Sequence, residues 1–217
     1  MISLVVGGSA SGKSEFAETR ALERFEKLKS SVSSIRGGVR QYAFDGELVY
    51  LATMINTDAE TGERIDRHVK RREGMGFKTL EVPYDLGKIT QEHLKSNSVV
   101  LLECLSNLLA NEMFSRPGEG AGDYDTIAEK VFADIRALKS RCHDLIIVTN
   151  NVFEDGLEYD GETALYIKYL GELNRNLGKL CDELYEVVVG IPLKIKETAS
   201  RRAETEGVSG MGRIKWV

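Results

Sequence analysis

Apolar, mostly β-branched runs recur along the chain at 2–6, 48–52, 78–82, 99–104, 145–149 and 184–189, and each predicts a strand. Between them, apolar positions return with helical spacing over 13–29, 58–73, 124–141 and 162–179, with shorter stretches at 89–94 and 105–113. Strands and helices alternating in this way are the sequence form of an α/β fold with a mainly parallel sheet. Helices are expected on both faces of that sheet.

Two connections stand out. The small-residue stretch 30–38 is long for a link in a compact α/β fold and reads as a surface excursion, and the Pro/Gly-rich loop 116–122 separates two helical segments. After Pro192 the chain carries several charges and ends in Arg213-Ile214-Lys215-Trp216-Val217, too polar up to its last residues for another core layer. One domain over 1–196 followed by a polar tail over 197–217 is therefore expected.

Composition narrows the ligand class. A chain of 217 residues with 42% hydrophobic content can bury one proper core. Its formal net charge of −5 argues against nucleic acid held by bulk electrostatics and favours a small anionic ligand gripped by a local basic patch. Three widely separated cysteines suggest neither a disulfide framework nor a metal site, which fits a reducing cytoplasm. No leader and no apolar run of the roughly 18 residues that a membrane span needs is visible, so neither export nor a membrane anchor is expected.

The sharpest chemical signal follows the first apolar run directly. Gly7-Gly8-Ser9-Ala10-Ser11-Gly12-Lys13-Ser14 is a complete G-x-x-x-x-G-K-[ST] phosphate-binding loop. Its glycines let backbone N–H groups turn inward around a phosphate chain, and the following helix offers its positive N-terminus. Lys13 is placed for the β- and γ-phosphates, and the Ser14 hydroxyl for the Mg²⁺ that accompanies GTP or ATP.

A second constellation begins after the second predicted strand. Thr57 and Glu60 have capping-box spacing for a helix start, and Glu60, Arg64 and His68 then follow at four-residue steps on nearly one face. A lone histidine in a charged helix is ordinarily a surface residue, and a basic run such as Lys70-Arg71-Arg72 is ordinarily a solvated face. Together they suggest more: a neutral imidazole is a nucleophile, and adjacent guanidinium and ammonium groups can neutralise a phosphate chain under attack. Glu103 closes an apolar run, which puts a carboxylate at the C-terminal edge of a buried strand, where ligands of open α/β sheets bind. His93 and His143 lack comparable company and read as structural or exposed.

With these residues in view, the chain resembles the bifunctional adenosylcobinamide kinase and adenosylcobinamide-phosphate guanylyltransferase family of cobalamin biosynthesis. The resemblance runs through the phosphate loop, Tyr50-Leu51-Ala52-Thr53, Glu60 with Arg64-Ile65-Asp66-Arg67-His68, and Thr79-Leu80-Glu81-Val82-Pro83. It continues through Leu101-Leu102-Glu103-Cys104-Leu105, Asn111, Val148-Thr149-Asn150, Gly171, Asn174 and Gly190-Ile191-Pro192-Leu193-Lys194, to about residue 196. It implies a RecA-like P-loop domain that phosphorylates adenosylcobinamide and then passes GMP from GTP to adenosylcobinamide phosphate, giving adenosylcobinamide-GDP. By the same resemblance His68 is the covalent nucleophile, Lys13 is catalytic, and residues 7–14, Ala52, Thr53, Met54, Val69, Lys70, Arg71, Arg72, Glu81 and Glu103 contact the nucleotide. A homo-oligomer, in the family's case a trimer, is implied as well. Departures from the family pattern fall at Asn150-Asn151-Val152-Phe153 and Tyr166-Ile167-Lys168-Tyr169-Leu170, and the 30–38 stretch is longer than the family leads one to expect. A P-loop kinase for another small hydroxylated substrate and a GTP-binding regulatory or assembly protein are the competing readings.

Overall fold

The computed structural model describes residues 1–32, 44–115, 123–152, 159 and 161–198. Strands β1 (Ile2–Gly7), β2 (Leu48–Ala52), β3 (Lys78–Glu81), β4 (Val99–Glu103), β5 (Asp144–Asn150), β6 (Glu183–Val188) and β7 (Ile191–Glu197) form one seven-stranded sheet in the order β3-β2-β4-β5-β1-β6-β7. Every pairing is parallel except β6 with β7. The helices are α1 (Lys13–Val32), α2 (Ala59–Arg72), α3 (Leu105–Ala110), α4 (Tyr124–Lys139) and α5 (Gly161–Leu180).

The uninterrupted apolar strands are explained by burial on both sides. In β4, Val100 and Leu102 join the core under α3, α4 and α5, whereas Val99 and Leu101 face the core under α1. β1 and β5 divide in the same way, with Leu4 and Ile147 to one side and Val5 and Val148 to the other. On the α1 side, Ala17 and Ala21 are fully buried, and their small side chains let the helix lie close on the sheet.

The strand order fixes where chemistry can occur. β1, which carries the phosphate loop, is separated from β4, which carries Glu103, by β5 alone. Their C-terminal ends therefore face one crevice.

Three local expectations need correction. The stretch after Pro192 does not leave the fold: it pairs antiparallel with β6 as edge strand β7 through Glu197. Its apolar residues Ile191, Leu193 and Ile195 alternate with Pro192, Lys194 and Lys196, a period-2 signal masked by the charges, and the proline is tolerated because the strand is an edge. The expected helix at 89–94 is instead a short 3-10 turn at Leu86–Lys88 followed by irregular chain. The cap of α2 is Asp58, whose side chain accepts from the Thr61 N–H at 2.8 Å, so the Thr57/Glu60 box is one residue out of phase. The loop 116–122, most of the stretch 30–38 and residues 199–217 lie outside the described residues.

Candidate active site

The phosphate loop is built by backbone proximity. A Cβ on Gly7 would sit 2.5 Å from Ser11 Oγ and 2.8 Å from the Val187 carbonyl oxygen, so β1 must end in glycine to turn beside β6. Gly12 has φ +88°, and a Cβ there would approach Gly190 Cα to 3.1 Å. Gly190 belongs to the two-residue turn between β6 and β7, and its N–H donates to the Ser11 carbonyl at 2.8 Å. The β6–β7 hairpin thus buttresses the loop. Lys13 is buried, folded back so that Nζ donates to the Gly8 carbonyl at 2.9 Å, and burial pulls its pKa down.

Next to the loop is a cavity of about 380 Å³, within the range of small-molecule sites. Lys13 and Ser14 line it from the loop, Ala52 and Met54 from the end of β2, and Arg64, His68 and Arg72 from α2. Glu81 and Glu103 complete it from the ends of β3 and β4, and Asn150 from β5. Glu103 is buried, and burial raises its pKa against the opposing pull of a hydrogen bond from Ser14 and the charges of Arg71, Arg72 and Lys13. Its Oε2 has no hydrogen-bond partner. A serine hydroxyl beside a carboxylate at the phosphate loop is a set of hard oxygens that suits Mg²⁺.

α2 buries only Arg72 of its residues, and it is fastened by its basic end. Arg71 Nε and Nη2 donate to the two carboxylate oxygens of Glu18 at 2.6 and 2.7 Å, and Nη2 also lies 3.1 Å from His68 Nδ1. Arg72 stacks its guanidinium 3.5 Å from the centre of the Tyr50 ring; its buried Nε and Nη1 make no hydrogen bond, and Nη1 lies 3.9 Å from Glu18 Oε1. Burial, followed by the charge of Arg71, holds the His68 pKa below its usual value, so the ring is neutral at neutral pH.

The residues expected from sequence separate into two groups. Lys13, Ser14, Ala52, Met54, His68, Arg72, Glu81 and Glu103 share the cavity. Gly7, Gly8, Ser9, Ala10, Ser11 and Gly12 shape the loop, with Ser9 and Ala10 exposed. Thr53 is fully buried, and its hydroxyl bridges the Cys104 N–H and carbonyl at 2.7 and 2.9 Å, which makes it a clamp between strand ends. Val69 and Lys70 are exposed on α2 outside the cavity lining, as is Glu60; Arg71 is turned to Glu18. Sequence reasoning missed Glu18 and Tyr50, the anchors of the two arginines. An acidic residue on the inner face of an otherwise apolar helix stripe was the available signal for Glu18.

Two resemblance positions outside the cavity have structural tasks. Asn111 donates to the Thr53 and Pro83 carbonyls at 2.7 and 3.1 Å, and Asn174 accepts from Thr149 Oγ1 at 2.8 Å. At the divergent stretches, Asn150 donates to Ser106 Oγ at 2.9 Å and the Tyr166 hydroxyl donates to the Ser106 carbonyl at 3.2 Å. Phe153 lies outside the described residues.

The cavity thus brings together a phosphate loop, a neutral histidine and a buried arginine. The family described as cobinamide kinase / cobinamide phosphate guanyltransferase matches residues 3–195. The chain belongs to this family. Its cobinamide kinase / guanyltransferase relatives include the bifunctional adenosylcobalamin biosynthesis protein CobU of Escherichia coli (strain K12), 28% identical over 204 residues, covering 90% of this chain and 100% of that protein. CobP of Pseudomonas aeruginosa, with the same description, is 27% identical over 198 residues, covering 90% of this chain and 98% of that protein. Among solved structures, the flagellar accessory protein FlaH of Methanocaldococcus jannaschii aligns at a TM-score of 0.41 and 14% identity, over 91% of this chain and 78% of that one.

Proposed function

We propose that this member of the cobinamide kinase / guanyltransferase family runs both reactions at the one cavity, phosphorylating adenosylcobinamide and then transferring GMP through a covalent adduct on His68. The observation that carries this reading is that His68, on α2, and Lys13 and Ser14, on the phosphate loop, line the same space. As a kinase, the loop amides and Lys13 hold the triphosphate of ATP or GTP while the cobinamide hydroxyl attacks the γ-phosphorus. As a guanylyltransferase, the neutral ring attacks the α-phosphorus of GTP; the N–P bond forms, the bond to the leaving pyrophosphate breaks, and the ring proton goes to solvent. Arg72, with two nitrogens that make no hydrogen bond, is suited to the pyrophosphate. An oxygen of adenosylcobinamide phosphate then attacks the same phosphorus, and the ring takes up a proton as the P–N bond breaks. Mg²⁺ would be held at the Ser14 hydroxyl and, when bound, would help neutralise the phosphates.

The test is intact-protein mass spectrometry after mixing with GTP and Mg²⁺, with peptide mapping. One added GMP on His68 is expected; GMP on another residue, or none, removes the histidine from the reaction. The reading includes a cytoplasmic homo-oligomer, a trimer by family resemblance. What supports association is the apolar, solvent-exposed face of β7, where Ile191, Leu193 and Ile195 are all about half exposed. Light scattering checks it. Among the described residues, no helix is long and apolar enough to cross a membrane.

A further inference from the structure

Arg71 stands between two groups that it joins. Glu18 is only 1% exposed in its side chain and receives both Arg71 bonds, an arrangement in which a buried carboxylate is stable because its partner is fixed opposite it. The same Nη2 reaches His68 Nδ1 at 3.1 Å. A guanidinium has donors only and stays protonated, so Nδ1 must be the acceptor. An imidazolium offers no lone pair there, and neither does a ring carrying GMP on Nδ1. A neutral ring with its proton on Nε2 does, and so does a ring carrying GMP on Nε2.

We propose that Glu18 and Arg71 are positioning residues for guanylyl transfer: Glu18 fixes Arg71, Arg71 donates to Nδ1 of His68, and GMP is thereby carried on Nε2 in an adduct shielded from protonation. This rests on the reading of His68 as the carrier of GMP.

The chemical consequence is a longer-lived intermediate. Water displaces GMP from an imidazole rapidly only when the free ring nitrogen is protonated, because the protonated ring is the better leaving group. Here protonation has to break the Arg71 hydrogen bond and put a second positive charge against it. The other groups around the ring are Arg64 and Arg72 on the same helix, Glu18 on α1 and Glu103 at the end of β4. Three cations oppose protonation and two carboxylates favour it, with Arg71 the cation that makes contact. Attack through Nε2 needs the neutral tautomer with its proton on Nδ1, which gives up the Arg71 bond. Once the N–P bond has formed and pyrophosphate has left, that proton goes to solvent and Nδ1 again accepts from Arg71, so the pair lengthens the life of the adduct while slowing its formation.

The experiment labels the protein with GTP carrying radioactive α-phosphorus, removes free nucleotide, and follows loss of GMP from the folded protein against pH for wild type, Arg71→Met and Glu18→Gln. The measurement is then repeated in denaturant. Both variants should shed GMP roughly tenfold faster than wild type, equivalent to moving one protonation by about one pH unit, with the profile displaced to higher pH. In denaturant the three should coincide. The sign in Glu18→Gln separates positioning from simple charge: a carboxylate acting only through its field would favour the protonated adduct, and removing it would prolong the adduct. An unchanged lifetime in Arg71→Met, a longer one in Glu18→Gln, or GMP on Nδ1 by phosphorus NMR of the wild type overturns the proposal. Should Arg71→Met take no label, proton NMR of the three histidines decides: His68 must titrate at higher pH in that variant, and an unmoved titration overturns the proposal equally. Absence of label from His68 in the wild type removes the guanylyl reading itself; normal labelling with unaltered breakdown in both variants removes only this inference.

Discussion

The phosphate loop and α2 border the same cavity but are held in place by opposite means. Loop residues 7–14 are contiguous, follow a strand buried at all but one position, and are shaped by close backbone approaches to Val187 and Gly190. α2 is a mostly exposed helix whose position depends on two long side chains, Arg71 on Glu18 and Arg72 on Tyr50. The phosphate-binding residues are therefore contiguous in sequence and held by close backbone packing. Presentation of the histidine is a long-range property, set by side chains more than twenty positions apart in sequence.

That contrast breaks most clearly at the nucleophile. His68→Asn should abolish the GMP adduct while leaving cobinamide phosphorylation within a few-fold of wild type, measured by parallel adduct and kinase assays. Equal loss of both would mean that α2 cannot be separated from the loop. Lys13→Ala should instead lower both activities, each by about 10²-fold or more, because the lysine neutralises the triphosphate whichever phosphorus is attacked. Kinase turnover at the wild-type rate in that variant would remove the loop from its assigned role.

Smaller effects sharpen the comparison on the α2 side. Arg72→Leu should slow guanylyl transfer by about tenfold with less effect on phosphorylation, as one charged contact to the leaving group is lost. Its thermal midpoint should change little, because the substitution also removes a buried charge with two unsatisfied nitrogens. A large loss of thermal stability would show that the stack on Tyr50 holds α2 structurally. The smallest effect concerns pH. Attack requires the neutral ring, and burial together with Arg71 places the His68 pKa below the ordinary value of about 6.5. Adduct formation should stay level as pH falls through about 6.5 and decline only below it; a decline centred at or above that value would contradict the buried, arginine-flanked position.

The fold was legible because its central strands β1, β2, β4 and β5 are buried on both faces and so largely apolar, while β3 and β6 showed as short or alternating runs. The six runs read from sequence fall on β1 to β6, with ends shifted by a residue or so. β7 was hidden because an edge strand buries little, so charges and a proline could occupy it without harm. The loop was legible for a related reason: its motif residues lie within one short segment, although the backbone that closes on them, at Val187 and Gly190, comes from far along the chain. The helix cap was misread by one position, since Thr57 and Asp58 are both good caps and only the hydrogen bond to Thr61 distinguishes them. Within Val69-Lys70-Arg71-Arg72, the family resemblance offered all four for nucleotide contact, and charge pointed to Arg71 or Arg72 for the leaving pyrophosphate without choosing between them. The structure gives them three environments: Val69 and Lys70 in solvent, Arg71 on Glu18, and Arg72 at the cavity over Tyr50.

By itself, then, the sequence determined the α/β layering, the phosphate loop and the presence of a histidine beside a basic run, since each is written in local periodicity or contiguous spacing. Only the tertiary structure decided which arginine faces the cavity, which ring nitrogen of His68 is engaged, and that Glu18 lies behind both. Those facts depend on how α1, α2 and the ends of β2 and β4 meet. Periodicity can mark Glu18 as an acid on a buried helix face, but it does not say which cation on another helix will meet it.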